Sequence, residues 1–206
     1  MAGNRESAGE ASASAIVEDA VSRARTGDAD AFHLIFRRYS KPLLSFIYNL
    51  IGDRDQAEEL VQETFVRAYR RLGSLREESY LSTWLFGIAR NVVREVIRRK
   101  YSDRPLVGLE DVGAADPRSF AAGPDEPLMA HELRRAVRAA LAGLPEDGRV
   151  VFVLKVIHQM KYRQIARITG SSVGKLKTDL HRARRQMRQR LAHYLGEGYA
   201  VTGDES

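Results

Sequence analysis

The feature that most restricts this chain is an interruption. On both sides of residues 102–127 apolar side chains recur at three- and four-residue spacing, as amphipathic helices require, and within that stretch the period vanishes. Four of the six prolines, Pro105, Pro117, Pro124 and Pro127, fall there among glycines and alanines. Asp103, Glu110, Asp111, Asp116, Asp125 and Glu126 are set against only Arg104 and Arg118, and like-charge repulsion favours an extended strap over a packed one. A loop this long is unusual inside one compact domain. The expectation is two small helical domains, 27–101 and 128–196, joined by a flexible acidic linker. Residues 1–26 are expected to be a mobile tail leading into a first helix near Val17 and Val21, and 197–206 a second tail. No strand alternation and no fixed-period repeat stands out, so the predicted fold class is all-α.

In the first domain Asp28 or Asp30 is placed to cap a helix, and Phe32, Ile35, Phe36, Leu43, Phe46, Ile47 and Leu50 recur at helical spacing. Pro42 marks a kink or a second helix start, and Ile51-Gly52 an end. Asp53 or Asp55 caps the next helix, whose inward stripe is Ala57, Leu60, Val61, Phe65, Ala68 and Leu72 before Gly73 ends it. Its acids Glu58, Glu59 and Glu63 lie early and its bases Arg67, Arg70 and Arg71 late, the order that complements a helix dipole. A polar loop leads into a further helix carrying Trp84, Leu85, Ile88, Ala89, Val92, Val93 and Val96. The basic cluster Arg94, Arg98, Arg99 and Lys100 closes it.

The charge is unevenly spread. The 206 residues carry a net +6, yet from Arg149 to Leu195 Lys and Arg recur with Asp179 as the only acid. Ordinary surfaces intersperse the two signs, so this concentration points to an anionic partner such as nucleic acid. The absence of cysteine excludes a disulfide framework, a thiolate zinc site and a cysteine nucleophile, and it suits a reducing compartment, with cytoplasm the default. No apolar run approaches a bilayer span, and the first residues lack the features of a signal peptide, so no membrane insertion is expected. The five histidines have no metal-ligand spacing and no catalytic constellation can be defended, so neither an enzyme nor a cofactor is expected. GSSVGKL resembles a phosphate-binding loop but has three residues between its glycines where four are required, and Leu176 stands where a hydroxyl would hold magnesium.

Within the basic region, KYRQIARITGSSVGKLKTDLHRARRQMRQRL has the layout of a helix-turn-helix. Tyr162 to Thr169 makes a short helix with Ile165 and Ala166 inward, Gly170 supplies the turn, and Ser172 caps a long second helix. The stripe Val173, Leu176, Leu180, Ala183, Met187 and Leu191 leaves Lys175, Lys177, Thr178, Asp179, His181, Arg182 and Arg185 facing mainly outward. In this motif the outward N-terminal part of the second helix enters the major groove. The blander reading is a helical hairpin with a solvated basic face. Asp179 either accepts from a cytosine amino group or pairs along the helix with Arg182, the second being commoner.

Two stretches resemble a known family. DQAEELVQETFVRAYRRL followed by STWLFGIARNVVREVIRRK resembles region 2 of the extracytoplasmic-function sigma factors of bacterial RNA polymerase, and LPEDGRVVFVL followed by IARITGSSVGKLKTDLHRARRQM resembles their region 4. The resemblance implies an initiation factor with core RNA polymerase and promoter DNA as partners, and commonly an anti-sigma factor. It implies that Asp55, Glu58, Glu59, Gln62 and Glu63 bind polymerase. Glu77, Glu78, Ser79, Tyr80, Thr83, Trp84, Asn91, Arg94 and Arg98 would engage the minus-10 element. Lys177, Thr178, Asp179, His181 and Arg182 would read the minus-35 element, flanked by Lys175 and with Arg184 and Arg185 near phosphates. Trp84 and Phe86 have an alternative use in the core. The chain departs from the family pattern at Ser171, Lys175, Leu176 and Asp179. Two other readings stay open: a dimeric helix-turn-helix regulator on a palindromic operator, and a helical adaptor whose basic domain binds an acidic protein.

Overall fold

The computed structural model describes residues 17–102 and 128–195, and every regular element among them is helical. The expected linker between 102 and 128 and most of both tails lie outside the described residues. Helix α1, residues 17–25, lies where a first helix near Val17 and Val21 was expected to follow the tail, and its Ala20, Val21 and Ala24 are buried, so it belongs to the core. Helix α2, Ala29–Ile51, starts at Asp28, whose carboxylate accepts from the Ala31 amide at 3.0 Å and from Arg23 at 2.7 Å. It ends on Gly52 at φ 77°, the left-handed position glycine takes without steric cost. Pro42 lies inside this one helix, so of the two readings of that residue, a kink or a second helix start, no second start occurs.

Helix α3, Arg54–Arg71, is capped by Asp53, and a 3₁₀ turn, Leu72–Ser74, follows it directly, so Gly73 sits within a turn and not at a left-handed stop. A second 3₁₀ turn, Glu78–Tyr80, leads into α4, Leu81–Ser102. Arg67 on α3 bridges Glu63 at 2.7 Å and Glu95 on α4 at 2.8 Å, fixing the register of the two helices. Phe46, Leu43, Ile47, Ala57, Phe65 and Leu85 fill the space between α2, α3 and α4.

The second domain comprises α5, Leu128–Ala142, α6, Glu146–Phe152, α7, Tyr162–Thr169, and α8, Val173–Leu195. Between α6 and α7 the chain widens into a π-turn, Val153–Ile157, closed by the His158 amide donating to Val153 O at 3.0 Å, and Gln159 then adopts φ 54°. Leu154, Ile165, Leu176 and Leu180 are fully buried at its centre.

The two domains pack against each other, α4 on α7 and α2 on α5 and the π-turn. Arg149, which the charge count placed on the basic surface, is instead partly buried at this junction. It donates to Leu50 O at 2.7 Å, at the end of α2, and to Ala142 O and Leu144 O at the end of α5. These carbonyls belong to the last turns of helices or to the turn beyond, where intrahelical donors run out, so a guanidinium there answers a real demand.

Candidate nucleic-acid interface

Helix α8 is positioned by a turn whose chemistry was legible. The Gly170 amide donates to Ala166 O at 2.8 Å with φ 73°, and the Ser172 hydroxyl accepts from the Lys175 amide at 3.2 Å. Leu176, Leu180, Ala183 and Met187 are buried, whereas Val173, expected on the same stripe, is 37% exposed because the helix begins there, clear of its neighbours. Lys177, Thr178, His181, Arg182, Arg184 and Arg185 stand exposed. Together they form an exposed face with no acid.

Asp179 does not follow the expected pairing with Arg182. Its carboxylate meets Lys175 Nζ at 2.7 Å, and the same ammonium reaches Asp147 at 2.7 Å from the start of α6. The hydrogen bond from Lys175 holds the Asp147 carboxyl below the usual carboxylate range, and the two acids raise Lys175. Lys175 and Asp179, two of the departures from the family pattern, are therefore partners of each other. Their charges cancel locally, leaving Lys177 and the arginines to supply the field.

On α4 Asn91, Arg94, Arg98 and Arg99 are exposed. Thr83, expected to engage DNA, is buried at 6% exposure, because α4 turns that position toward the core. Trp84 is half-buried against the core, so its apolar body serves packing, and Phe86 is wholly internal. In the preceding turn Glu77 and Ser79 are exposed, Glu78 pairs with Arg25 at 3.3 Å, and the Tyr80 ring lies under the Arg167 guanidinium at 3.8 Å. Arg94 is 3.5 Å from Glu146. Arg90, one helical turn before Arg94, is only 8% exposed; burial first, then Arg94, pulls its pKa down while Asp147 and Glu146 oppose. Sequence reasoning passed over Arg90 and Arg167, since both interactions cross between domains.

Helix α3 presents Asp55, Glu58, Glu59 and Gln62 to solvent, with Glu58 paired to Arg54 and Glu63 half-buried against Arg67. Val66 and Tyr69 continue the line 55–59–62–66–69 at helical spacing and are 43% and 53% exposed. Their three-and-four spacing from Asp55 was the signal that could have found them.

The pattern of Sigma-70 region 2 matches residues 35–102, and that of Sigma-70, region 4 matches residues 134–187. The ECF RNA polymerase sigma factor SigW of Bacillus subtilis is 31% identical over 182 residues, covering 85% of this chain and 97% of the relative. The chain belongs to the ECF sigma factors. The ECF RNA polymerase sigma-E factor of Escherichia coli is also 31% identical, over 80% of this chain and 88% of its own. Among solved structures, the sigma factor RpoE of Bartonella quintana, in complex with the anti-sigma factor NepR, superimposes with a TM-score of 0.62 at 26% identity over 78% of this chain and 96% of that one. CnrH, in complex with the cytosolic domain of CnrY, shares the fold with a TM-score of 0.65 at 22% identity, over 86% and 98% of the two chains. As an ECF sigma factor the protein acts in promoter recognition. Among the described residues no helix is long and apolar enough to cross a membrane, and no cluster of acids and histidines could hold a metal ion.

Proposed function

We propose that this sigma factor divides its work among three helical faces. Helix α3 docks on core RNA polymerase through Asp55, Glu58, Glu59, Gln62 and Glu63, with Val66 and Tyr69 adding an apolar end to an acidic surface. The turn before α4, Glu77 to Tyr80, together with Asn91, Arg94 and Arg98, engages the minus-10 element; an aromatic ring beside cations suits an unstacked base and its phosphates. Thr83 and Trp84 support that face from within. Helix α8 reads the minus-35 element with Lys177, Thr178, His181 and Arg182, while Arg184 and Arg185 hold phosphates. Lys175 and Asp179 order the start of the helix through their own ion pair. An anti-sigma factor is the regulatory partner this reading expects, and the cytoplasm is where core polymerase would be met.

The observation that carries the reading is the acid-free exposed face of α8. Its placement on the second helix of a helix-turn-helix matches the groove-entering element of that motif. Reconstituted transcription tests it: the purified chain with core polymerase should direct initiation from a cognate promoter. Arg182→Ala and Asn91→Ala should each reduce transcripts while still joining core. A chain that joins core yet loses nothing with either substitution would refute the assignment of these faces.

A further inference from the structure

The turn that the minus-10 reading places against DNA is held from outside itself. Between Leu75, whose side chain is buried, and the 3₁₀ turn Glu78–Tyr80, the chain has no regular structure, and Arg76 and Glu77 are exposed. One guanidinium from a distant part of the chain spans this gap. Arg25, in the last turn of α1, donates through Nη2 to Leu75 O and through Nη1 to the Glu78 carboxylate at 3.3 Å. Its two acceptors lie on either side of Arg76 and Glu77, so the fork grips both ends of the exposed tip. Arginine suits this task because its donors are fixed in one plane, whereas a lysine ammonium is a single point of charge.

The root of this clasp is itself fixed. Ala20, Val21 and Ala24 bury one side of α1, and Gly27 at φ 95° turns the chain toward α2. The Thr26 hydroxyl donates to Arg23 O at 2.8 Å, and Arg23 pairs with Asp28, the N-cap of α2, at 2.7 Å. The side chains of Arg25 and Glu78 are only 29% and 28% exposed, so solvent screens their attraction less than it would a fully exposed pair. Arg25 also lies before residues 35–102, the stretch that matches Sigma-70 region 2. The clasp therefore ties the turn to a helix outside the matched pattern.

Ordering a free loop at the moment of binding costs conformational entropy, which a loop already held in place has lost beforehand. We propose that Arg25 is a positioning residue for minus-10 recognition: it preorganises the 75–78 tip, so that Glu77 and its neighbours meet the opened strand in one conformation. Arg25 touches no DNA in this scheme and acts through Leu75 O and Glu78. The inference rests on the assignment of the turn 77–80 to the minus-10 element. A residue that only stabilised the fold would lower the yield from every promoter alike, together with the unfolding midpoint. A residue that sets the shape of a reading loop changes which bases are preferred.

The test uses the full chain with core polymerase on a promoter library randomised over the minus-35 and minus-10 segments, read by sequencing the transcripts. Arg25→Ala should join core with unchanged affinity and lower transcript yield roughly three- to tenfold, the worth of one carbonyl hydrogen bond and one partly exposed ion pair. It should flatten base preference at the minus-10 positions and leave the minus-35 preference as it is. Arg25→Gln, which keeps the stem and one donor, stands in if the alanine variant fails to fold. Arg25→Lys, which keeps the charge without the fork, should recover part of the yield, and full recovery overturns the two-ended grip. An unchanged minus-10 preference in Arg25→Ala, or a loss uniform over all sequences, overturns the positioning role. Glu77→Ala with Ser79→Ala separates the underlying assignment. If that double variant leaves the minus-10 preference untouched, the turn does not read the element; if it alters the preference and Arg25→Ala does not, the turn reads and the clasp alone fails.

Discussion

Gly170 turns the chain between α7 and α8 at φ 73°, a conformation that costs a side-chain-bearing residue roughly 1–2 kcal/mol. Gly170→Ala should therefore destabilise the second domain by about 1 kcal/mol in urea unfolding, although nothing crowds the site. Gly143 differs in kind. Its φ is ordinary, but an added Cβ would collide with the Arg190 guanidinium, which donates to Ala140 O at 2.9 Å. Gly143→Ala should displace that flexible group at a cost of about 1 kcal/mol, the worth of one hydrogen bond, and the unfolding midpoint reads it. Asp179 makes a prediction about recognition. Because its carboxylate is engaged by Lys175, Asp179→Ala should leave base preference unchanged across a panel of sites and strengthen binding to all of them, with a slightly steeper salt dependence.

Helix α8 joins a buried stripe to a cationic face, and the two can be altered separately. Leu180 is fully internal, so Leu180→Ala should cost roughly 2–5 kcal/mol of second-domain stability, enough to lose minus-35 recognition through unfolding. Arg182→Ala leaves the stripe intact and, as a base reader, should cost about 1–3 kcal/mol at one promoter position only, whereas Arg184→Ala should weaken all sequences alike. Competition binding at two salt concentrations distinguishes these cases. On α3 the same division holds: Ala57, Leu60, Val61 and Phe65 anchor the helix, while Asp55, Glu59, Gln62, Val66 and Tyr69 occupy the opposite side.

Across the whole molecule, the junction between domains carries its own pH dependence. Burial pushes the His158 imidazole below its ordinary value of 6.5, and no charged neighbour contributes to the shift. Its Nε2 is enclosed without a hydrogen-bond partner. The folded state thus resists protonation of this ring more than the unfolded chain does. Below about pH 6.5 the unfolded state binds more protons, so stability falls with pH through that value until the docked histidine also protonates. Unfolding midpoints should drop between about pH 7 and pH 5, and His158→Gln should flatten the slope. The Asp147 carboxyl, lowered by Lys175, adds stability that persists above the usual carboxylate range and is lost only in stronger acid.

Helical class, two-domain layout, the Asp28, Asp53 and Ser172 caps, the Gly170 turn and the buried stripe of α8 are consequences of local order. Capping, left-handed turns and three-and-four periodicity act over a few residues, so a linear sequence displays them. The basic face followed from the same stripe, since what is not buried on a helix must point away. What the sequence could not display were interactions between residues far apart in the chain. Arg149 counted as one more surface cation until α2 and α5 brought their carbonyl ends to it. Asp179 lost its expected partner because Lys175, held from across the domain by Asp147, was better placed. Thr83 turned inward, and Tyr80 and Arg94 acquired partners from the second domain. Local spacing determined which elements form and which side of each is apolar. Only tertiary packing decided which charges remain available, because a charge is cancelled by whatever lies within a few ångströms, and that neighbour need not be near in sequence.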